Sequence, residues 1–320
     1  MSEDTGGVFT IAASDAAQRL DVYLTARLAC SRARVQQGIA AGDVLVNGRM
    51  ARASYKLRAG DCVEADLPDV VVAAIVPEDL PLSVLYEDEA LIVIDKPAGL
   101  VVHPAGDITR GTLANALAHR FGAEPRLVHR LDRDTSGVMV VARTLAAQDA
   151  LIAQFRERTV SKHYVTLVHG RPAARQGSVA APIDRDRKNR LKMMVCPPGE
   201  GREALTRYEV LAQWPEFALL AVEIKTGRTH QIRVHCAHLG HPVVADEMYG
   251  KGRTGQLQRA EIRAAVLALG RQFLHAARLC FDDPRTGVRH DIRAPMPADL
   301  LALLATVKQG EPPEPAFERW

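Results

Sequence analysis

The chain has 320 residues, a net formal charge of +3, 25% charged residues and 47% hydrophobic residues. This composition excludes a disordered polymer, a collagen and a bundle of membrane-spanning helices, and the 5% aromatic content argues against a protein built on aromatic stacking platforms. The net charge is too small to identify a nucleic-acid partner, so the position of the charges matters more than their sum.

Five cysteines are scattered along the chain without a Cys-x-x-Cys pair. An odd, dispersed set argues against a disulfide scaffold or a zinc ribbon and is typical of a reducing compartment. The first residues lack the basic segment and apolar run of a secretory signal peptide. We therefore expect a cytoplasmic protein with no membrane partner.

The N-terminal pattern predicts a flexible segment over residues 1–18, followed by two helices. From Arg19 onward, apolar residues recur at three- and four-residue steps, which is typical of one helix face. Ser31 is placed to cap a second helix over Arg32–Ala41, which Gly42 ends.

A small hairpin sheet is predicted next. Val44–Val46 is a short apolar run, Asn47-Gly48 is a type I′ turn signal, and a second strand is expected near residues 62–67. Residues 19–77 are therefore predicted to form a compact domain of two helices and a hairpin sheet.

This predicted domain is strongly basic. Between Arg19 and Arg58 there are eight basic and two acidic residues, a net charge of +6. A solvated helix face is one explanation. A phosphate-binding patch is the other, since neutralisation of phosphates dominates nucleic-acid affinity, and it would include Arg32 and Arg34.

Prolines near residues 75–82 predict a linker, after which a second domain is expected over residues 78–308. Its strands and helices alternate without a regular βαβ rhythm, and residues 309–320 are predicted to be a flexible tail. The elements expected here are strands at Leu91–Ile94, Val138–Val141, Val165–Val168 and Phe217–Ile224 and a helix over Leu145–Arg156.

Two patterns in this region suggest cofactor or metal chemistry without carrying it. Gly250–Gly255 fits G-x-G-x-x-G, but no predicted strand precedes it, so a flexible loop is expected. His230 and His235 belong to a histidine-rich segment, but on a helix they would lie about 140° apart. We therefore predict no metal site here.

The segment from His129 to Arg143 is a charged turn that leads into a buried strand. Asp132 lies between Arg130 and Arg133, and a carboxylate there can be partly desolvated yet held ionised by neighbouring cations. An ordinary capped turn with surface ion pairs is the alternative.

Two further segments carry candidate site residues. In the segment Lys225–His235, a strand is expected to end at Gly227 and Thr229 to cap a helix, which would place Arg228 at a strand-to-helix turn facing a cleft. Tyr164 begins a predicted strand and offers a flat apolar face with a hydroxyl, although a core tyrosine would look the same.

Taken together, these segments resemble the RluA family of RNA pseudouridine synthases. The family's H-R-L-D-x-x-T-S-G and G-R-T-H-Q-I-R-V-H motifs are complete, and two departures, Thr166 for Ala and Ala245 for Gly, touch no catalytic position. Residues 19–77 resemble the S-four RNA-binding domain. The matching blocks lie at Lys96–Pro104, His129–Gly137, Gly227–His235, Leu239–Gly250 and Phe273–Ala276.

The resemblance implies an α+β fold, with the small RNA-binding domain followed by a larger, mainly antiparallel sheet that has flanking helices and a central cleft. It implies cofactor-free isomerisation of uridine to pseudouridine, with Asp132 as the essential carboxylate and Arg228 as its salt-bridge partner. Tyr164 would stack on the uracil, and Arg130 would replace the flipped base in the RNA stack. Whether Asp132 attacks the sugar or removes a sugar proton stays open.

The implied substrate and partner is large-subunit ribosomal RNA, or the assembling subunit, bound by a monomer. Residues 128–240 carry a net charge of +7, which agrees with an RNA substrate. The densest basic cluster is predicted to contact phosphates, although a solvated mobile loop is the alternative, and consists of Arg185, Arg187, Lys188, Arg190 and Lys192.

Two other function classes remain as hypotheses. A non-catalytic RNA-binding or ribosome-assembly factor could keep the same fold, but the complete set of Asp132, Tyr164 and Arg228 argues against it. A nucleoside or sugar hydrolase would normally need a second facing carboxyl group, for which the sequence shows no motif.

Overall fold

The structure is a computed structural model that describes residues 6–28, 30–67, 75–105, 107–122, 125–189 and 191–308. The chain divides into two compact units, Met1–Ala74 and Ile75–Trp320. Residues 1–5, the predicted tail over residues 309–320 and the predicted phosphate ligand Arg190 lie outside the described residues.

In the N-terminal unit, the described residues form two helices and a four-stranded antiparallel sheet in the order β1-β4-β2-β3. The predicted helix cap is confirmed, since Ser31 Oγ accepts a hydrogen bond from the Arg34 amide and Gly42 ends the helix with a φ of 93°. The elements are β1 Gly6–Thr10, α1 Leu20–Arg27, α2 Arg32–Ala41, β2 Val44–Val46, β3 Arg49–Met50 and β4 Cys62–Asp66.

The prediction of a flexible N-terminus is wrong for residues 6–18. Gly6–Thr10 is a strand that pairs antiparallel with Cys62–Asp66, and Ile11 is buried in the unit's core. The segment shows no alternation of apolar and polar residues that would predict a strand, and its pairing partner lies more than fifty residues away along the chain.

The C-terminal unit is built on a mixed ten-stranded sheet with the main order β10-β13-β14-β9-β15-β8-β6-β5, beside a separate β11-β12 hairpin. Every pairing between the described strands is antiparallel except that of β15 with β8, which confirms the mainly antiparallel α+β class. Its strands are β5 Ser83–Glu87, β6 Leu91–Lys96, β7 Arg126–Leu127, β8 Ser136–Ala142, β9 Ser161–His169, β10 Gln176–Ala180, β11 Ile183–Arg185, β12 Met193–Val195, β13 Leu205–Trp214, β14 Phe217–Ile224, β15 Leu274–Asp282 and β16 Arg289–Arg293.

Helices flank this sheet and bury its central strands. All seven residues of β8 are buried, as expected for a strand whose apolar side chains are covered on both faces. Capping residues begin two of the helices, Thr112 for α3 and Thr144 for α4. The helices are α3 Leu113–Phe121, α4 Leu145–Glu157, α5 Gln231–His238, α6 Ala260–Leu269 and α7 Ala298–Lys308. Across the described ranges, no helix is long and apolar enough to span a bilayer.

Candidate active site

The turn His129–Thr135, which we call the Asp132 turn, connects β7 to the central strand β8. Just after it, Gly137 has a φ of 118°, and a Cβ atom built there would lie 2.2 Å from the carbonyl oxygen of Ala276. Strand β8 meets β15 in parallel at this point. Glycine is therefore required where the two backbones come closest.

Buried side chains hold the backbone of the Asp132 turn. Lys96 is fully buried, and its Nζ donates to the carbonyl oxygens of Arg133 at 2.8 Å, Pro97 at 2.8 Å and Leu100 at 2.9 Å. Burial lowers the pKa of Lys96 to about 8, against the attraction of the nearby carboxylates. Since each of the three ammonium hydrogens has an acceptor, the lysine acts as a brace between the turn and the preceding loop.

His129 anchors the start of the turn as a neutral imidazole. Its Nε2 accepts a hydrogen bond from the Val140 amide at 3.1 Å, and its ring stacks on Phe155 with centroids 4.7 Å apart. Burial lowers the pKa of His129 to about 3, which agrees with an acceptor nitrogen. The motif histidine therefore positions the turn.

A cavity of about 470 Å³ opens beside the Asp132 turn. The structure brings Asp132, Tyr164, Arg228 and Arg130 together in its wall, although they come from separate segments of the chain. The described residues around it carry seven arginine or lysine side chains and one carboxylate: Arg130, Arg156, Arg158, Lys162, Lys225, Arg228 and Arg233, with Asp132.

The salt-bridge partner of Asp132 is Arg233, and the prediction of Arg228 is wrong. Arg233 Nη1 lies 3.5 Å from Asp132 Oδ2, and Arg233 also holds the fully buried Asp246 through Nε at 2.6 Å and Nη2 at 2.9 Å. Arg228 Nε instead donates to the backbone carbonyl of Glu203 at 3.1 Å. Arg233 therefore links the carboxylate of the Asp132 turn to a buried acid.

A turn between β14 and α5 explains this difference. The strand ends at Ile224 and the helix begins at Gln231, not at Thr229, with His230 in a left-handed conformation of φ 56°. Gln231 Oε1 accepts from Thr226 Oγ1 and from the Arg228 amide, which closes the turn. Arg228 stays on the turn, whereas Arg233 lies on the buried face of the helix. A charged residue inside the apolar run Ile-Arg-Val was the available signal, since a buried arginine needs a partner.

The other cations near Asp132 differ from the expectation as well. Arg133 pairs with Asp134, Nε to Oδ1 at 3.0 Å, and does not flank Asp132. Arg130 is exposed at the cavity, and in the described part of the chain no carboxylate is paired with it. Its guanidinium is therefore available to a ligand.

Tyr164 projects from β9 into the same cavity and is 8% exposed. Burial, and then the charge of Asp132, raise the pKa of its phenol far above the ordinary value. The phenol is therefore protonated at neutral pH, which favours a stacking or donor role over a role as base.

Named proteins from other organisms are similar in sequence to this chain over most of its length. Ribosomal large subunit pseudouridine synthase D of Xanthomonas campestris is 44% identical, over 87% of this chain and 85% of that protein. The protein of the same name from Xylella fastidiosa is 43% identical, over 97% of this chain and 96% of the other. This chain belongs to the RNA pseudouridine synthase family. It is an RNA-modifying isomerase, and residues 90–238 match the RNA pseudouridylate synthase family, while residues 18–63 match the S4 domain.

Solved structures agree with this assignment of the synthase. Human RNA pseudouridylate synthase domain containing 4 superposes with a TM-score of 0.58 at 26% identity, over 71% of this chain and 93% of the human chain. Human RNA pseudouridylate synthase domain containing 1 gives 0.56 at 26% identity, over 74% and 98%.

The histidines of the synthase that suggested a metal serve as hydrogen-bonding groups. His235 contacts Thr206 Oγ1 at 2.8 Å and the Ala181 carbonyl at 3.0 Å, and His230 Nδ1 contacts the Tyr249 hydroxyl at 2.9 Å. No group of three potential metal ligands converges within the described ranges.

The basic cluster of residues 185–192 forms the tip of the hairpin β11-β12, which no prediction foresaw. Arg185, Arg187 and Lys188 are exposed, and Arg187 makes a 3.6 Å ion pair with Glu200. Lys192 Nζ instead donates to the Met248 carbonyl at 2.7 Å, so its charge is partly used within the fold.

The S4 unit uses one of its predicted RNA ligands structurally. Arg32 binds the fully buried Asp21 at 2.8 Å, together with Arg19 at 2.9 Å and Gln36 at 2.7 Å. These contacts, Arg19 first, lower the pKa of Asp21 far below its usual range. Arg34 is half-buried. Arg49 and Arg52 are exposed and line a shallow pocket with a volume of about 690 Å³.

Proposed function

We propose that this synthase converts specific uridines of large-subunit ribosomal RNA to pseudouridine, with Asp132 as the essential carboxylate. The observation that carries the proposal is the Asp132–Arg233 ion pair in a cavity that Tyr164 also lines. The names of the two bacterial relatives support the ribosomal substrate. A cytoplasmic location and a monomeric state are part of the same proposal.

The reaction is an isomerisation, so atoms balance without a cofactor. The N1–C1′ bond of uridine breaks, the uracil turns while it is held, and a C5–C1′ bond forms. C5 loses its proton and N1 takes one up, so the product is an isomer of the substrate. Asp132 is the one carboxylate among the described residues lining the cavity. Hydrolysis of a glycosidic bond normally uses two facing carboxyl groups, so the arrangement fits isomerisation better. The carboxylate either attacks C1′ or removes a sugar proton.

The target uridine must leave its stack to reach Asp132, at a cost of a few kcal/mol. Arg130 is exposed beside the cavity, and its planar guanidinium can stack on the neighbouring bases in place of the extruded one. Tyr164 then supports the uracil from the wall of the cavity. Arg228 is assigned to substrate contact at the turn, since Arg233 holds Asp132.

Two surfaces are proposed to bind the rest of the RNA. The exposed hairpin cations Arg185, Arg187 and Lys188 contact phosphates near the active site. In the S4 unit, Arg49 and Arg52 are assigned to phosphates, whereas Arg32 is assigned mainly to holding Asp21.

The test is pseudouridine mapping of ribosomal RNA from cells that lack the gene, complemented by variants. Wild type should restore the missing large-subunit pseudouridines, and Asp132→Asn should not, while still binding RNA. Asp134→Asn is the matched control, because Asp134 pairs with Arg133 outside the cavity wall. Unchanged large-subunit pseudouridines in the deletion strain would overturn the substrate assignment.

A further inference from the structure

Lys162 is a buried cation for which the described residues supply no hydrogen-bond acceptor. It is 8% exposed and lies on β9 two residues before Tyr164, so both side chains are on the cavity face of the strand. Its Nζ lies 5.7 Å from the centroid of the Phe155 ring, and no carboxylate or carbonyl of the described residues pairs with it. Lys96, which is fully buried, has three carbonyl acceptors.

The charged groups that act directly on Lys162 are cations. Burial lowers the pKa of Lys162 to about 8, and repulsion from Lys225, Arg158 and Arg228 adds to the effect. Among the described residues, Arg158 pairs with the exposed Glu203 at 3.4 Å, and Lys225 pairs with Glu223. Asp132, the one cavity carboxylate in the described wall, is held by Arg233. This end of the cavity therefore has a local excess of positive charge.

The space in front of the Lys162 ammonium is open. A Cβ atom built on Gly227 would have one neighbour within 4 Å, Lys162 Nζ at 4.0 Å. Gly227 has no left-handed φ that would require glycine. The absence of a side chain there leaves room for a ligand against the ammonium.

We propose that Lys162, with Arg158 and Arg228, forms a subsite for one phosphate of the RNA backbone beside the nucleotide held at Asp132. The identification of the ligand as RNA rests on the proposed function. A phosphate offers several anionic oxygens to an ammonium and two guanidinium groups, whereas a uracil carbonyl would satisfy only one donor and no charge. The strand rise places Lys162 about 6.6 Å along β9 from Tyr164, which is the scale of one nucleotide.

The experiment compares uridine with uridine 5′-monophosphate and uridine 3′-monophosphate, by calorimetric titration of the full chain at pH 7. We expect at least one monophosphate to bind tighter than uridine, and the stronger of the two identifies which phosphate occupies the subsite. Lys162→Met should weaken that monophosphate roughly ten- to a hundredfold and leave uridine unchanged. Lys162→Arg should retain most of the gain.

Lys251→Met is the control, since Lys251 is exposed and the charge change is the same. Gly227→Ala adds one methyl group in front of the ammonium and should weaken the monophosphate several-fold, which keeps the test valid if Lys162→Met does not fold. The proposal is overturned if wild type binds the three ligands with equal affinity or binds none of them measurably. It is also overturned if Lys162→Met lowers the affinity for uridine as much as the affinity for the monophosphate.

Failure of the subsite and failure of the proposed function give different results. Mononucleotide binding does not depend on pseudouridine formation. A protein that shows phosphate-dependent, Lys162-dependent binding but restores no ribosomal pseudouridine supports the subsite and refutes the ribosomal substrate. A protein that restores ribosomal pseudouridine but shows no phosphate-dependent binding refutes the subsite alone.

Discussion

Replacement of Arg233 by methionine removes both of its roles, which are to hold Asp132 in the cavity and to neutralise Asp246 in the core. At 3.5 Å and an effective dielectric constant of about 20, two unit charges attract by about 5 kcal/mol, an upper bound because Asp246 shares the guanidinium. We therefore expect kcat to fall roughly 10²- to 10³-fold. Asp246 is fully buried, so its loss of a partner should lower the free energy of unfolding by about 3–5 kcal/mol.

The double variant Arg233→Met/Asp246→Asn distinguishes the two effects. Asparagine keeps the oxygen that accepts from the Met248 and Tyr249 amides at 3.0 and 3.1 Å, and it removes the unpaired charge. Unfolding in urea should show most of the stability restored, whereas single-turnover pseudouridine formation should stay low.

Arg228→Met is the comparison variant for the active site. It should raise KM with little change in kcat, since Arg228 does not contact Asp132. The reasoning is refuted if Arg228→Met lowers kcat as much as Arg233→Met does, or if the double variant recovers full kcat.

Three other outcomes follow from the packing. Gly137→Ala should lower the free energy of unfolding by about 3 kcal/mol or more, because its Cβ would meet the Ala276 carbonyl. The control Gly252→Ala, which has a φ of 86° and open space, should cost only about 1 kcal/mol of backbone strain. Equal losses of stability for the two variants, measured by unfolding in urea, would contradict the close approach at Gly137. Burial lowers the pKa of His275 to about 4 from 6.5, so between these two pH values the unfolded chain binds a proton that the folded chain does not. The free energy of unfolding should therefore fall by roughly 3 kcal/mol as the pH drops from 7 to 4. His275→Gln should flatten that decline, and an unchanged pH profile of stability would count against a neutral buried imidazole. Arg32→Met should destabilise the S4 unit by about 1–2 kcal/mol, because Arg32 holds Asp21. Arg52→Met should leave the melting temperature unchanged and reduce the slope of log RNA affinity against log salt concentration by about 1. A stable Arg32→Met variant with the reduced slope would restore Arg32 as the main RNA ligand.

Local signals in the sequence were sufficient for several elements. The Ser31 cap, the Gly42 terminator and the Asn47-Gly48 turn are set by the conformations of neighbouring residues, and the structure has all three. The apolar strand Phe217–Ile224 was also predicted with the bounds that the structure shows. Such features depend on a few adjacent residues, so they are readable without knowledge of the fold.

Elements whose partners are remote were missed or misassigned. The edge strand Gly6–Thr10 is defined by pairing with Cys62–Asp66, and the hairpin β11-β12 has strands of only three residues. The role of Arg32 depended on the burial of Asp21, a residue that looks like ordinary surface charge in the sequence.

The sequence by itself determined the family, the candidate carboxylate Asp132 and the excess of positive charge over residues 128–240. The motifs consist of particular residue types at fixed spacing along the chain, and charge is a sum over residues, so both can be recognised without knowledge of the fold. Only the tertiary structure decided which arginine reaches Asp132, since the choice between Arg228 and Arg233 depends on where one helix begins. It also decided that Lys162 is a buried cation without an acceptor among the described residues, because the surroundings of a side chain come from strands and turns far apart in the chain.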